Sequence, residues 1–289
     1  MDSIKILVFI PVWKRPHIFK LCMKGLARLN KNAKDIYLEP FCVVSEDWAE
    51  QYCLDKGIKY CWVENSPLGR KMNYGFGDAM KEDFDYLMQI NSDTLLADEL
   101  LEIYRPWFEN KTHLFGIDKV HFVDSNAKAS RRAKLVDYTL TICGAGKCLE
   151  RKFLENYGYR VEVEWLNSYS GLWGSFSPGE KYILPVSKAD VLVSQGAAKI
   201  TGNPRWMLWP DGMNDTLDHS MNFRLILWGC ENKCIEIGEK PLVLDLKSEV
   251  NIWTYDRLQG QEVDFEHAIS LIPEMNECRA VRSQIHISN

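Results

Sequence analysis

Phe84-Asp85-Tyr86-Leu87-Met88-Gln89-Ile90-Asn91-Ser92-Asp93-Thr94 reads as a short apolar strand that stops at a polar tip. The strand runs from Tyr86 to Ile90, and a helix-like run from Asp98 to Phe108 follows. In open α/β sheets ligands bind beyond the carboxyl ends of the strands, so the tip faces the usual place for chemistry. It offers a carboxylate, a hydroxyl and an amide. These oxygens suit a hard divalent cation such as Mg²⁺ or Mn²⁺, which in turn neutralises phosphates. Ser92, Asp93 or Thr94 would equally serve as a helix cap, and the segment alone leaves both readings open.

Working outward, the upstream chain repeats one pattern. Ile4 to Ile10 is a continuous apolar run, the mark of a buried parallel strand, and Pro11-Val12-Trp13-Lys14-Arg15-Pro16 breaks it. His17 to Leu29 carries Ile18, Leu21, Cys22, Leu26 and Leu29 at helical spacing. Tyr37 to Val44 is a second strand ending at Ser45-Glu46-Asp47, and Trp48 to Lys56 a helix closed by Gly57. A strand over Ile58 to Val63 and a helix over Arg70 to Met80 lead back to the opening stretch. This β-α-β-α-β-α-β alternation predicts parallel strands joined by right-handed crossovers.

Downstream the pattern loosens. We expect one or two strands over Leu114 to Val123, a basic loop over Asn126 to Lys134 and a strand over Tyr138 to Cys143. A glycine break at Gly144-Ala145-Gly146 precedes a helix over Cys148 to Tyr157. Asn214 to Gly229 reads as an amphipathic helix, Cys234 to Leu246 as a last strand pair, and the tail from Asp256 as helical. Gly171 to Thr201 has no clear period.

With 289 residues, 46% hydrophobic and 26% charged, the chain has the composition of a soluble globular protein. No apolar run approaches the roughly 20 residues of a membrane span, so no transmembrane segment is expected. Nine cysteines without a C-x-x-C pair point to reduced structural thiols and a cytoplasmic setting. A net charge of −5 argues against broad, sequence-independent nucleic-acid binding.

Four early strand ends carry polar loops, at 11–16, 45–47, 69–73 and 91–93, and together would line one crevice for a nucleotide-like ligand. Here the chain resembles the nucleotide-sugar-dependent glycosyltransferases of the GT-A fold, family 2-like and inverting. Pro11-Val12-Trp13-Lys14-Arg15 is similar to their Pro-aromatic-x-Arg stretch, and Glu46 and Asp47 to their acidic second strand end. Gly69-Arg70-Lys71-Met72-Asn73 resembles their Gly-x-x-x-Asn element, and Asn91-Ser92-Asp93 their Asp-x-Asp metal motif. Asp215-Thr216-Leu217-Asp218-His219-Ser220-Met221-Asn222-Phe223-Arg224-Leu225 is similar to the acidic segment that ends in Arg-Leu-x-x-x-Gly, here at Gly229.

The resemblance implies a single GT-A-like α/β domain with a mixed central sheet. Residues 1–110 would form the nucleotide-sugar half, with its βαβ units, and 111–255 the acceptor and catalytic half, followed by a helical tail over 256–289. Pro11, Trp13, Arg15, Glu46, Asp47, Gly69, Lys71, Asn73 and Ser92 would hold the donor nucleotide. Gly144, Gly146, Trp209 and Asp215 would face the donor and acceptor sugars. Asn91, Asp93 and Asp245 would hold Mn²⁺ or Mg²⁺. Asp218, six residues before Arg224, would deprotonate the acceptor hydroxyl.

Two departures matter. Asparagine at 91 lowers the charge of the metal motif by one, which implies weaker metal binding. Where many relatives place a histidine near the last core strand, this chain has Leu244-Asp245-Leu246-Lys247, so that Lys247 is a candidate for direct contact with the diphosphate. A UDP-sugar donor is favoured, with a hydroxyl-bearing acceptor; nucleic acid would enter only as an acceptor, through a hydroxymethylated base. A sugar nucleotidyltransferase would want a glycine-rich loop after the first strand, and Pro11 to Pro16 has no glycine. A non-catalytic nucleotide-sugar or glycan-binding module of the same fold is the remaining alternative.

Overall fold

The computed structural model describes residues 3–125, 131–138, 142–171, 174–214, 221–222, 225, 230–248 and 254–276. The apolar opening run forms β1 (Ile4–Pro11), followed by α1 (Pro16–Asn32), β2 (Ile36–Val44), α2 (Asp47–Lys56) and β3 (Lys59–Trp62). Then come α3 (Leu68–Ala79), β4 (Tyr86–Gln89), β5 (Thr94–Leu96) and α4 (Glu99–Glu109). β1 lies between β2 and β4, parallel to each, and is buried on both faces because Ile6, Val8 and Ile10 pack under α1 and Leu7 and Phe9 under α3. α1 covers one face of this sheet with Phe19, Cys22, Leu26 and Leu29, its apolar stripe. α3 covers the other so closely that a Cβ at Gly75 would collide with Val43. Gly57 closes α2 at φ 63°, the left-handed position glycine fills without strain.

The next strands are β6 (Leu114–Ile117), β7 (Lys119–Asp124), β8 (Ala133–Asp137) and β9 (Lys147–Glu150), before α5 (Arg151–Tyr157) and β10 (Tyr159–Trp165). A hairpin of β11 (Tyr169–Gly171) and β12 (Gly174–Phe176) precedes β13 (Lys181–Pro185), α6 (Val186–Ser194), β14 (Ala198–Ile200) and β15 (Arg205–Trp206). The chain ends with β16 (Asn232–Ile235), β17 (Val243–Lys247), a 3₁₀ turn at Tyr255–Arg257, β18 (Gln261–Val263) and α7 (Phe265–Ile269).

The central seven-stranded sheet runs β16-β6-β9-β4-β1-β2-β3, with β9 antiparallel to both neighbours. It is the mixed sheet of an α/β fold. A five-stranded sheet, β18-β8-β7-β17-β5, stands beside its carboxyl end. No helix among the described residues is long and apolar enough to cross a membrane.

Several expectations change. Residues 148–150, expected to open a helix, belong to β9, because pairing with β4 and β6 outweighs the helical spacing that begins there. Within the expected basic loop, Ala133 and Lys134 belong to β8, and 126–130 lie outside the described residues. The expected last strand pair is divided: β16 joins the central sheet beside β6, and β17 joins the second sheet between β7 and β5. Gly171 to Thr201 contributes to a small sheet in which β10 pairs with β13 and β14, and Val161, Val163 and Trp165 of β10 share a core with Ala189 and Leu192 of α6. The tail is only partly helical, since β18 pairs with β8 before α7 begins.

Candidate functional site

The loop after β1 is bent by two successive non-glycine residues in the left-handed region, Lys14 at φ 56° and Arg15 at φ 58°. Such a pair persists only where the surroundings hold it. Here Val12 N donates to Val43 O (2.9 Å), Lys14 N donates to Glu46 Oε2 (2.5 Å) and Lys71 Nζ donates to Val12 O (2.6 Å). The bend turns Arg15 toward the tip of β4. Its guanidinium pairs with Asp93 through Nη1, and Nη2 donates to Ser92 Oγ at 3.2 Å. Its Nε is buried and has no partner among the described residues.

Asp93 immediately precedes β5, which pairs antiparallel with β17 so that Thr94 faces Asp245. Leu246 N donates to Asp93 O (2.9 Å), and Thr94 Oγ1 donates to Asp245 Oδ1 (3.2 Å). Two residues on, and so on the same face, Lys247 Nζ donates to Asp245 Oδ2 (2.8 Å) and stands 3.8 Å from Asp93 Oδ2. The ammonium also lies 4.9 Å from the Phe122 ring centroid. Asp93 is 2% exposed and Lys247 8%, so these charges interact with little solvent between them. Burial, then the neighbouring Asp93, pushes Asp245 up to about 6, against the pull of Lys247. Burial opposes the charge on Lys247, yet Asp245 and Asp93 together hold its pKa above the ordinary lysine value. Two carboxylates and two cations thus share one corner at the strand ends.

The other expected donor residues divide into loop holders and surface groups. Pro11 ends β1 and Trp13 is half-buried, with Lys14 Nζ 4.2 Å over its ring. Glu46 is engaged by the Lys14 backbone, and Asp47 at the start of α2 is exposed. Lys71 is fully buried and serves the loop from beneath, bonded to Val12 O and to Asn65 Oδ1 (3.0 Å). Desolvation lowers its pKa to about 8, with Glu46 pulling the other way. Gly69 N donates to Met213 O (2.9 Å). Asn73 clamps a loop: its Oδ1 accepts from Leu208 N and Trp209 N, and its Nδ2 donates to Trp209 O and Asp211 Oδ1. Trp209 is 0% exposed and stacks on Phe9 with centroids 5.8 Å apart, a core position with no open ring face for a sugar. Gly146 sits at φ 82° with the Tyr104 hydroxyl 3.5 Å from where a Cβ would be, so its turn is buried in the core; Gly144 is half-buried. Asn91 is half-buried, and its backbone N donates to Thr94 Oγ1 (3.2 Å).

Asp215 and Asp218 lie outside the described residues. Both flanks of their segment are anchored. Leu68 N, at the start of α3, donates to Asn214 Oδ1 (2.9 Å). On the far side Lys147 Nζ donates to the buried Asn222 Oδ1 (3.2 Å), whose Nδ2 donates to Ile142 O (2.8 Å). Lys147 is paired in register with Gln89, at the end of β4. Sequence reasoning passed over Asn222, although it stands four residues after Asp218 in the same motif.

The oxygens at the corner are of the type a hard cation takes, but their arrangement does not fit one. Each carboxylate already holds a cation, and among the described residues no three of His, Cys, Asp and Glu stand together as a metal-binding group. The surface hollow lined by Lys5, Glu39, Lys59, Glu82 and Asp83 lies at the opposite ends of the strands, and its charges pair among themselves.

No family model matches the sequence, and no curated protein matches it significantly. Solved structures of similar fold include TarS of S. aureus (residues 1–349; 14% identity, 53% of this chain and 48% of that one, TM-score 0.37). Two others are glucosyl-3-phosphoglycerate synthase from Mycobacterium tuberculosis in complex with Mn²⁺ and UDP-glucose (12%, 53% and 58%, TM-score 0.36), and the mannosyltransferase PcManGT from Pyrobaculum calidifontis in complex with GDP-Man and Mn²⁺ (12%, 53% and 46%, TM-score 0.36). The chain spans about half the length of these structures.

Proposed function

We propose that this protein is a glycosyltransferase that moves a sugar from a nucleotide-diphosphate donor to an acceptor hydroxyl. The observation that carries the reading is the Arg15–Asp93–Lys247–Asp245 cluster at the carboxyl ends of β1 and β4, where a diphosphate would meet one buried and one half-buried cation. The residues flanking Asp218 are tied down, Asn214 to the start of α3 and Asn222 to Lys147 of β9. In the reaction Asp218 takes the acceptor proton as the acceptor oxygen bonds to the anomeric carbon from one face. The bond from that carbon to the diphosphate breaks on the other face, and its electron pair leaves with the diphosphate. Such a displacement inverts the anomeric centre. Asn91, Asp93 and Asp245 are the oxygens a Mn²⁺ or Mg²⁺ ion would take; because the carboxylates are already paired, no step is routed through one. A UDP-sugar is the favoured donor, and a reducing, cytoplasm-like compartment suits the free cysteines.

Thermal-shift measurements with UDP-, GDP- and dTDP-glucose test the reading, because a ligand bound only by the folded state raises the melting temperature. One donor class is expected to do so. The Asp218→Asn variant should keep that shift while donor turnover falls by about 10²–10⁴. Full turnover in Asp218→Asn would remove the catalytic assignment. A shift without turnover in the wild type would favour a binding module, a reading supported by the asparagine at 91.

A further inference from the structure

We infer that the positive charge facing the donor diphosphate is supplied by Lys247 and Arg15, so that donor binding needs no divalent metal. This rests on the nucleotide-sugar reading above and adds to it the residues that take over the ion's part. The corner is already charge-balanced. Lys247 Nζ lies 2.8 Å from Asp245 Oδ2 and 3.8 Å from Asp93 Oδ2, and Arg15 is bonded to that same Asp93 oxygen. A divalent ion entering between the carboxylates would be pressed against both cations in a setting where solvent screens little. Asn91 brings no charge to offset it. The cluster also keeps cationic capacity for an anion: the Arg15 Nε–H is buried without a partner among the described residues. Lys247 is held at the corner by Asp245, over the Phe122 ring. Asp93 and Asp245 then act as positioning residues that orient the two cations. The cations in turn stabilise the negative charge that builds on the leaving diphosphate.

The test is calorimetric titration of UDP and GDP into EDTA-stripped protein, repeated with Mn²⁺, together with a titration of Mn²⁺ alone followed by its paramagnetic resonance signal. For the nucleotide that binds, the dissociation constants with and without Mn²⁺ should agree within about threefold, and Mn²⁺ alone should not bind; Lys247→Ala should weaken binding by about tenfold or more, and Lys247→Arg by far less. Lys247→Ala leaves two buried carboxylates facing each other. The double variant Asp245→Asn/Lys247→Gln, which removes one charge of each sign, is therefore the folded control and should also lose affinity. Binding that appears only with Mn²⁺ and ignores the charge at position 247 overturns the inference while leaving the glycosyltransferase reading in place. No nucleotide binding in either condition overturns both.

Discussion

Arg15 stands immediately before helix α1 and Arg28 lies within it, and each meets acidic groups at one end of β5. Arg15 meets Asp93 just before that strand, and Arg28 meets Asp98 just after it. Their exposures are nearly equal, 14% and 17%, so burial does not separate them. Their partners do. Every nitrogen of Arg28 is engaged: Nε donates to Glu274 Oε1 (2.8 Å), Nη2 to Leu96 O (2.7 Å) and Glu274 Oε2 (3.2 Å), and Nη1 to Asp98. Two carboxylates surround that one cation. At Arg15 two cations face two carboxylates, and the guanidinium Nε has no partner among the described residues. Satisfied charges of this kind fasten a fold, and an arginine with a donor to spare can still take an anion. Arg28 staples the C-terminal segment to α1; Arg15 is placed to bind.

The strongest way to break this comparison is Arg28→Ala. It strands Glu274, 3% exposed, without its cation, and unfolding in urea should show a loss of about 3–5 kcal/mol. Nucleotide affinity of the folded fraction should stay the same. A loss under about 1 kcal/mol would mean the staple is ornamental.

Lys71 sharpens the contrast from another side, because it is a buried cation whose hydrogen bonds go only to neutral oxygens. Its pKa of about 8 lies below the ordinary 10.5, so between those values the unfolded chain binds more protons than the folded one. Stability contributed by this group therefore rises as pH climbs from 8 to 10.5, by on the order of 3 kcal/mol. The cysteines and tyrosines with raised pKa values also titrate on the alkaline side, which makes the difference between wild type and Lys71→Met the informative curve. Urea midpoints across pH should converge toward or cross in favour of the wild type at the alkaline end. Parallel curves would contradict a desolvated lysine.

The first half of the chain was legible because its signals are local. Apolar runs, Gly57 and the strand-end polar loops placed β1 to β4 and the helices between them within a few residues. Strand β9 was not, since Cys148 and Leu149 continue into Phe153 and Leu154 at helical spacing, and only pairing with β4 and β6 makes 147–150 extended. Likewise Ala133 and Lys134 look like the end of a charged loop until β7 and β18 flank them. At the site, the sequence pointed to Arg15, Ser92, Asp93 and Asp245, and the structure brings these together. That Arg15 pairs with Asp93, 78 residues away, is a tertiary fact no spacing encodes. Asn73 and Trp209 sat in or beside matching motifs, yet one is a loop clamp and the other core, because a motif position does not specify which way a side chain turns.

The most direct measurement is the affinity of UDP and GDP for wild type, Arg15→Ala and Arg28→Ala, determined by calorimetry at a temperature where all three are folded. For whichever nucleotide binds, the account predicts that Arg15→Ala weakens binding about 10- to 100-fold, the worth of a charge-assisted contact, while Arg28→Ala leaves it unchanged. Equal affinities across the three proteins, or a loss confined to Arg28→Ala, would contradict it.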